Sequence, residues 1–265
     1  MRKRIESAQN KLIKRLHGLQ LRKNREKEKV FIAEGIRFVS EIPLDWEIEL
    51  YAVSDTYAQN YDLEILEQRA PLYIVPDALF EKISETEHPQ GILAVCAQKV
   101  LDIAPFLEKS NPFFLLAEEL NDPGNLGTII RTADACNVDA VFLSQGSVDL
   151  YHPKVLRATM GSIFHIAVFQ GIVLSETAEM LRERGIPLYA AHLKGRQYPY
   201  SLNLRRACAF LIGNEARGIS EEAAAICDSF VKIPMPGEAE SLNASIAAGV
   251  LMYEVVRQRL IPRQN

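Results

Sequence analysis

Between residues 113 and 233 short apolar runs alternate with helix-like stretches, and this alternation leaves the chain few ways to fold. Residues 113–117, 140–143, 187–191, 207–212 and 230–233 read as buried strands, with helices expected over 125–136, 176–184 and 220–226. Strands that are apolar along their whole length, with helices between them, call for a mainly parallel sheet covered on both faces. A last helix is expected over about 244–260, with Ile246, Val250 and Leu251 along one stripe. Upstream lies a smaller α/β unit. There KVFIAEGI (29–36) leads from a strand into a helix around 36–42, residues 48–53, 71–75 and 91–96 read as strands, and 78–83 reads as a short helix. Pro105, Pro112 and several charges between 99 and 112 place the boundary near residue 108, which makes the expected domains 1–107 and 108–265.

Charge divides the chain unevenly. The net charge of −4 hides a first segment, residues 1–29, with 11 Lys/Arg against 3 Asp/Glu, a net of +8. Residues 30–265 then hold 19 Lys/Arg against 31 Asp/Glu, a net of −12. A basic arm on an acidic body suits an enzyme that holds a polyanion, and a solvated amphipathic helix accounts for the same charges. Leu12, Leu16 and Leu19 at helical spacing, with Lys11, Lys14 and Arg15 between them, make the arm's start such a helix. No apolar run approaches the ~18 residues of a membrane span, and the basic start lacks the apolar segment of a secretory signal. Cys96, Cys136, Cys208 and Cys227 are each embedded in apolar sequence without a Cys-x-x-Cys pair, and the five histidines show no metal-ligand spacing. The cysteines therefore read as core residues in a reducing compartment, and no metal is expected.

In an open parallel sheet ligands bind outside the carboxyl ends of the strands. No Gly-x-Gly, P-loop or Gly-x-Ser-x-Gly occurs, which argues against a flavodoxin- or Rossmann-type nucleotide enzyme. Three glycine-bearing polar loops remain. In NDPGNLGTIIRTADA (121–135), Asn125 is an expected N-cap, and Leu126, Ile129, Ile130 and Ala133 form the buried stripe. Arg131 falls on the opposite face, either solvated beside Asp134 or presented to a phosphate or a neighbouring subunit. FLIGNEARGIS (210–220) projects Glu215 at the end of a strand, as a functional carboxylate or as a cap. IPMPGEAESLNASIAAG (233–249) stiffens an extended backbone with two prolines and places Ser241 and Asn243 before a helix. Taken singly, none of the loops decides a function.

Taken in order, NDPGNLGTIIRTA, LIGNE and IPMPGEAESLN resemble the motifs of the SPOUT superfamily, specifically the SpoU/TrmH family of RNA ribose 2′-O-methyltransferases. The stretch SVDLYHPKVLRATMGSIFHIAV is similar to the segment between them, and FIAEGIRFV and HPQGILAV resemble pieces of a small RNA-binding module of the L30e type. The resemblance implies a deep trefoil knot, made by the second and third loops with the C-terminal helix threaded through. It also implies S-adenosylmethionine bound there by backbone atoms around Gly213, Ile233 and Leu242, and a homodimer through the C-terminal domain. Asn125, Arg131, Glu215, Ser241 and Asn243 correspond to the family's catalytic and positioning residues. Family schemes make Arg131 a base; a guanidinium with a pKa above ~12 suits instead a stabiliser of the developing alkoxide that also clamps a phosphate.

The expected activity is methyl transfer to a ribose 2′-hydroxyl of RNA in the cytoplasm. Because a separate RNA-binding module resembles the rRNA-directed members, a guanosine of 23S rRNA is preferred, with uridine next. A tRNA target and a non-catalytic ribosome-assembly protein of the same fold are the alternatives. Lys11, Lys14, Arg15, Arg22, Lys23 and Arg25 are the expected phosphate contacts.

Overall fold

The computed structural model describes residues 2–260; the outer ends of the two expected domains, residue 1 and residues 261–265, lie outside the described range. The chain forms two compact units, Met1–Val100 with Tyr151–Phe164, and Leu101–Leu150 with His165–Asn265.

The first unit runs β1 (Arg2–Arg4), α1 (Lys11–Gly18), α2 (Arg22–Glu28), β2 (Val30–Glu34), α3 (Ile36–Ser40), β3 (Ile48–Ser54), α4 (Asp55–Asn60), α5 (Glu64–Arg69), β4 (Leu72–Val75), α6 (Asp77–Ile83) and β5 (Ile92–Ala97). Its sheet has the order β1-β4-β3-β5-β2, with β5 antiparallel to both of its neighbours. The basic start of the chain is part of this unit rather than an appendage. Arg2, Lys3 and Arg4 pair in register with Leu72, Tyr73 and Ile74. Ile5, Ile13, Leu16 and Leu19 join Leu79, Phe80 and Ile83 in the core. The cations reach solvent only because the alternate residues of α1 are apolar and buried, so charge count and burial have the same helical origin.

The second unit begins with α7 (Ala104–Leu107), β6 (Phe113–Ala117), α8 (Pro123–Ala135) and β7 (Ala140–Ser144). The segment Tyr151–Phe164, which carries α9 (Pro153–Thr159), packs into the first unit. Its Tyr151 stacks on Phe31 at 4.8 Å, and its Phe164 meets Trp46 edge-on at 5.0 Å. The chain continues with β8 (Ala167–Ile172), α10 (Leu174–Glu183), β9 (Leu188–Ala191), β10 (Cys208–Ile212), α11 (Glu221–Ala225), β11 (Ser229–Val231) and α12 (Ala244–Leu260). These strands form a six-stranded sheet of order β11-β9-β10-β6-β7-β8, and every neighbouring pair is parallel. The central strands β6 and β10 are buried at every position because helices cover both faces.

Expectations also change at β8 and at α12. The sequence reading contains no strand at β8, an edge strand of which only Ala167 and Val168 are buried, so its polarity hides it. On α12 the expected stripe splits: Leu251 is buried, whereas Ile246 is 54% and Val250 41% exposed. The buried face is instead Ala248, Leu251, Met252 and Val255. Small residues allow α12 to approach α8 closely, and a Cβ added at Gly249 would lie 3.8 Å from Thr132 Cγ2. Ile246, Val250 and Tyr253 stand on the opposite, exposed face.

The four cysteines are free thiols, and burial pushes Cys136 up to about 11 and both Cys208 and Cys227 up to about 12.

Candidate active site

At the centre of the second sheet β6 and β10 are neighbours, and the chain leaves them in opposite directions. From β6 it passes through α8 to β7; from β10 it passes through α11 to β11, beyond β9. Such a switch point opens a crevice at the carboxyl ends of the strands. The two loops that border it are fastened together. Glu118 N–H donates to Ile212 O at 2.9 Å, and Asn214 Nδ2 donates to Glu119 O at 2.7 Å. Glu118 accepts from Ser220 N at 2.9 Å and from its hydroxyl at 2.5 Å, while Ser220 caps α11.

Asn125 is not the cap of α8. Asp122 takes that place, accepting from Asn125 N–H at 2.7 Å, with Pro123 in the first helical position. The Asn125 side chain is thereby released for a tertiary role. Its Nδ2 donates to Glu215 Oε1 at 3.0 Å, and its Oδ1 accepts from Asn243 Nδ2 at 2.9 Å. Glu215 also accepts the backbone N–H groups of Asn121 at 3.1 Å and Asp122 at 3.0 Å. At the far end of this line, Asn243 Oδ1 accepts from Ser245 N–H at 2.9 Å and Ser245 Oγ at 2.6 Å, capping α12.

Every amide in this line has a determined orientation. An ionised Glu215 can only accept, so Asn125 must point its NH₂ toward it and its oxygen toward Asn243. Asn243 must then present its own NH₂ to Asn125 and its oxygen to the donors of α12. Three loops far apart in sequence are thus locked into one hydrogen-bonded line, Glu215–Asn125–Asn243. Burial raises the Glu215 pKa, but the hydrogen bonds from Asn125, Asn121 and Asp122 outweigh it and hold the carboxyl below its ordinary value.

Glu215→Gln leaves one acceptor oxygen where there were two and turns an NH₂ toward a backbone N–H. Because water reaches Glu215, the expected loss is at the low end of the about 1–3 kcal/mol of an unmet donor. The lowered folded-state pKa gives the contribution its sign: it is full above the unfolded pKa and is lost as pH falls through the folded one. In thermal melts the wild-type advantage over Glu215→Gln should therefore be complete at neutral pH and disappear in acid. A gap that persists in acid would contradict this account.

Beside the line lies a cavity of about 370 Å³, within the range of small-molecule sites. Gly213, Ile233 and Leu242 line it together with Leu193, Met235 and the Glu215 and Ser241 side of the loops. Gly213 has to be glycine, because a Cβ there would lie 2.3 Å from the carbonyl carbon of Gly218 and 2.4 Å from Ile219 N. A second, shallower depression is bordered by Asp122, Asn125, Glu215, Ser241, Leu242 and Asn243. Ser241 belongs to both hollows, and its hydroxyl makes no hydrogen bond among the described residues.

Of the expected catalytic residues, Arg131 alone belongs neither to the hydrogen-bonded line nor to the hollows. It is exposed on α8, borders neither hollow, and forms no ion pair or hydrogen bond among the described residues. Sequence reasoning gives no site role to Glu118, Glu119 and Arg217, nor to Asp122, read only as a turn former, and Asn214, read only as part of a tight loop. Of these, Asn214 had a local signal, since Asn followed by a Gly-containing tight turn is a common Asx motif; its Oδ1 accepts from Ala216 N at 2.9 Å and Arg217 N at 3.1 Å. Glu119 and Arg217, an ion pair 98 residues apart, had none.

In the first unit the expected phosphate contacts divide. Lys11, Lys14 and Lys23 are exposed. Arg15 is engaged by Glu28 at 2.6 Å and Glu49 at 2.5 Å, and Arg22 by Glu26 at 2.7 Å. Arg25 is only 3% exposed and donates from Nη1 to Leu19 O at 2.8 Å and Gln20 O at 2.6 Å. Its guanidinium satisfies carbonyls at the end of α1, so the expectation of a phosphate contact at Arg25 is corrected: the group is buried in the protein's own backbone. Among the described residues no cluster of His, Cys, Asp and Glu could hold a metal, and no helix is long and apolar enough to cross a membrane.

The comparisons with known proteins agree with this geometry. Residues 112–253 match the SpoU rRNA Methylase family, and residues 10–94 match the MRM3-like substrate binding domain. The chain is 34% identical to the Bacillus subtilis 23S rRNA (guanosine(2553)-2′-O)-methyltransferase RlmP, over 96% of this chain and 99% of that protein. It superimposes with a TM-score of 0.87 on the AdoMet-bound rRNA methyltransferase from Sinorhizobium meliloti, at 26% identity over 98% of this chain and 99% of that one. It superimposes with a TM-score of 0.86 on the SpoU methyltransferase AviRb from Streptomyces viridochromogenes in complex with AdoMet, at 26% identity over 96% and 100%. The cavity suits such a cofactor: apolar residues such as Leu193, Ile212, Met235 and Leu242 line it beside polar ones, and the N–H groups of Ile233 and Leu242 donate to no described protein group. With its three loops meeting at one switch point, and with both of its halves matched, the chain belongs to the SpoU rRNA methylase family.

Proposed function

We propose that this chain transfers the methyl group of S-adenosylmethionine to the ribose 2′-hydroxyl of a guanosine in 23S rRNA. The observation that carries the reading is the Glu215–Asn125–Asn243 line beside the cavity of Gly213, Ile233 and Leu242. The cofactor, when bound, supplies a methyl group already activated on a sulfonium, so the protein needs no nucleophile of its own. Its residues have to hold the acceptor in line and ease the loss of its proton. Alignment of this kind contributes roughly 7–11 kcal/mol in favourable systems. The hydrogen-bonded line fixes the loops that carry Ser241 and Leu242, and Ser241 keeps a free hydroxyl at the junction of the two hollows. Arg131 stabilises the developing alkoxide and the adjacent phosphate.

The choice of 23S rRNA and guanosine rests on the substrate in the name of RlmP and on the match to a substrate-binding domain over residues 10–94. The protein works as a homodimer in the cytoplasm. The exposed apolar positions Ile246, Val250 and Tyr253 on α12 support an interface between copies, which would give Arg131 on neighbouring α8 a partner surface. Mapping of ribose methylation in total RNA with and without the gene tests the whole reading. One 2′-O-methylguanosine of 23S rRNA should disappear; an unchanged 23S rRNA pattern overturns it.

Affinity for RNA should draw on the exposed cations of the first unit. Deleting residues 1–29 cannot test this, because it removes β1 and four core side chains. The combined Lys11→Gln, Lys14→Gln and Lys23→Gln variant leaves the core intact. It should weaken RNA binding and lower the slope of log affinity against log salt by about 0.7–0.9 for each phosphate that is no longer neutralised. A filter-binding salt series reads the slope, and a slope equal to wild type would return these lysines to the role of a solvated helix face.

A further inference from the structure

The stretch 192–207 between β9 and β10 carries Lys194, Arg196, Arg205 and Arg206 and no Asp or Glu, although residues 30–265 as a whole hold 19 Lys/Arg against 31 Asp/Glu. It starts at the cavity, where His192 and Leu193 form part of the wall. It then lies against β11: Lys232 N–H donates to Gln197 O at 2.9 Å, and a Cβ on Gly195 would meet Lys232 N at 2.8 Å. Further on, Ser201 Oγ donates to Tyr198 O at 2.7 Å, and Leu204 N–H donates to Gln258 Oε1 at 3.0 Å.

This braced loop displays two aromatic rings. Tyr198 is 40% and Tyr200 59% exposed, and their rings stack with centroids 5.2 Å apart and planes 13° from parallel. Lys194, Arg196 and Arg206 are exposed on the same loop and form no ion pair among the described residues. Rings left in water forgo the gain of burial, and paired rings on a backbone-fastened loop form a ready stacking platform. Aromatic faces combined with cations and no acids match the two features of an unpaired polynucleotide, its base faces and its phosphates. An acidic peptide would satisfy the cations and leave the rings without a role.

We propose that this loop is a single-stranded RNA contact of the catalytic unit. Tyr198 and Tyr200 stack on bases that flank the nucleotide delivered to the cavity, while Lys194, Arg196 and Arg206 hold phosphates. The proposal rests on the RNA-methyltransferase reading above and adds to it where the strand around the acceptor is held.

The test uses the full chain with a fluorescein-labelled oligoadenylate and, separately, a blunt RNA duplex of equal length, read by anisotropy. Wild type should prefer the single strand. Tyr198→Ala and Tyr200→Ala should each lose roughly fivefold to a hundredfold in affinity for it, and Tyr→Phe at either position should retain it. Binding to the duplex should change little. Affinity for S-adenosylmethionine, measured by calorimetry on the same variants, should stay at the wild-type value and so report an intact fold. Tyrosine variants that bind the oligoadenylate like wild type overturn this inference and leave the methyltransferase reading standing. Variants whose sedimentation shows a changed number of subunits also overturn it, since the rings then serve an interface between copies. A wild-type chain that binds neither RNA overturns both.

Discussion

Arg131→Lys should lower methyl transfer by roughly 10²–10³-fold and leave affinity for S-adenosylmethionine within about twofold of wild type. The asymmetry follows from where Arg131 stands. It borders neither hollow and forms no hydrogen bond or ion pair among the described residues, so its loss disturbs no wall of the cavity. Lysine keeps the charge but replaces a planar fork of five donors with a compact ammonium, which cannot grip alkoxide and phosphate together. The measurement pairs single-turnover methyl transfer with calorimetric titration of the cofactor. An active lysine variant would show that charge alone suffices; a lost cofactor affinity would place Arg131 in the binding of the cofactor. Either result removes the role assigned to it.

Gly213→Ala should damage both the fold and the cavity with a single added methyl group. The new Cβ would meet Gly218 C at 2.3 Å, Ile219 N at 2.4 Å and Gly218 O at 2.5 Å, all of them backbone atoms. A flexible side chain could move aside; a backbone held by the Asn214 N–H to Gly218 O bond at 3.0 Å and its reciprocal at 2.9 Å cannot. Overpacking of ordinary cores costs about 1–3 kcal/mol, and a clash with fixed backbone belongs at or above the upper end. The loop must open to relieve it, and that loop is a wall of the cavity, so cofactor affinity should fall by more than about tenfold together with the melting temperature. Gly237→Ala is the control, because nothing lies within 4 Å of a Cβ there. Equal melting temperatures and cofactor affinities for the two variants would contradict the steric account.

The legible parts of this protein are those written locally. The strand 113–117 coincides with β6, and 48–53, 71–75 and 187–191 overlap β3, β4 and β9 to within a residue or two. A buried strand in a covered parallel sheet is apolar at every position, a signal that needs no partner to be seen. The stripe Leu126, Ile129, Ile130 and Ala133 is likewise buried as its spacing requires. β8 escaped because this edge strand has no buried position beyond Ala167 and Val168 and so loses that signature, and the outer face of α12 differs from the expected stripe because periodicity identifies an apolar stripe without saying what covers it.

The site shows the same division. Its residues Asn125, Glu215 and Asn243 could be picked out by motif, but each has an ordinary local explanation as a helix cap. Asn243 does cap α12, and Glu215 does accept the N–H groups at the start of α8. What makes them a site is the line of side-chain hydrogen bonds across 90 and 118 residues of chain. Likewise Lys14 and Arg25 look alike in sequence, and only packing separates an exposed lysine from a guanidinium buried on the carbonyls of Leu19 and Gln20.

The sequence by itself determined the class of fold, most of the buried strands, the family and the three loops that matter, because hydrophobic period and motif are properties of near neighbours. The tertiary structure decided which strands became neighbours, which cation stayed in water, and which way each amide of the Glu215–Asn125–Asn243 line points. Those depend on residues about a hundred positions apart meeting in space, and such a meeting has no physical expression until the sheet has brought the loops together.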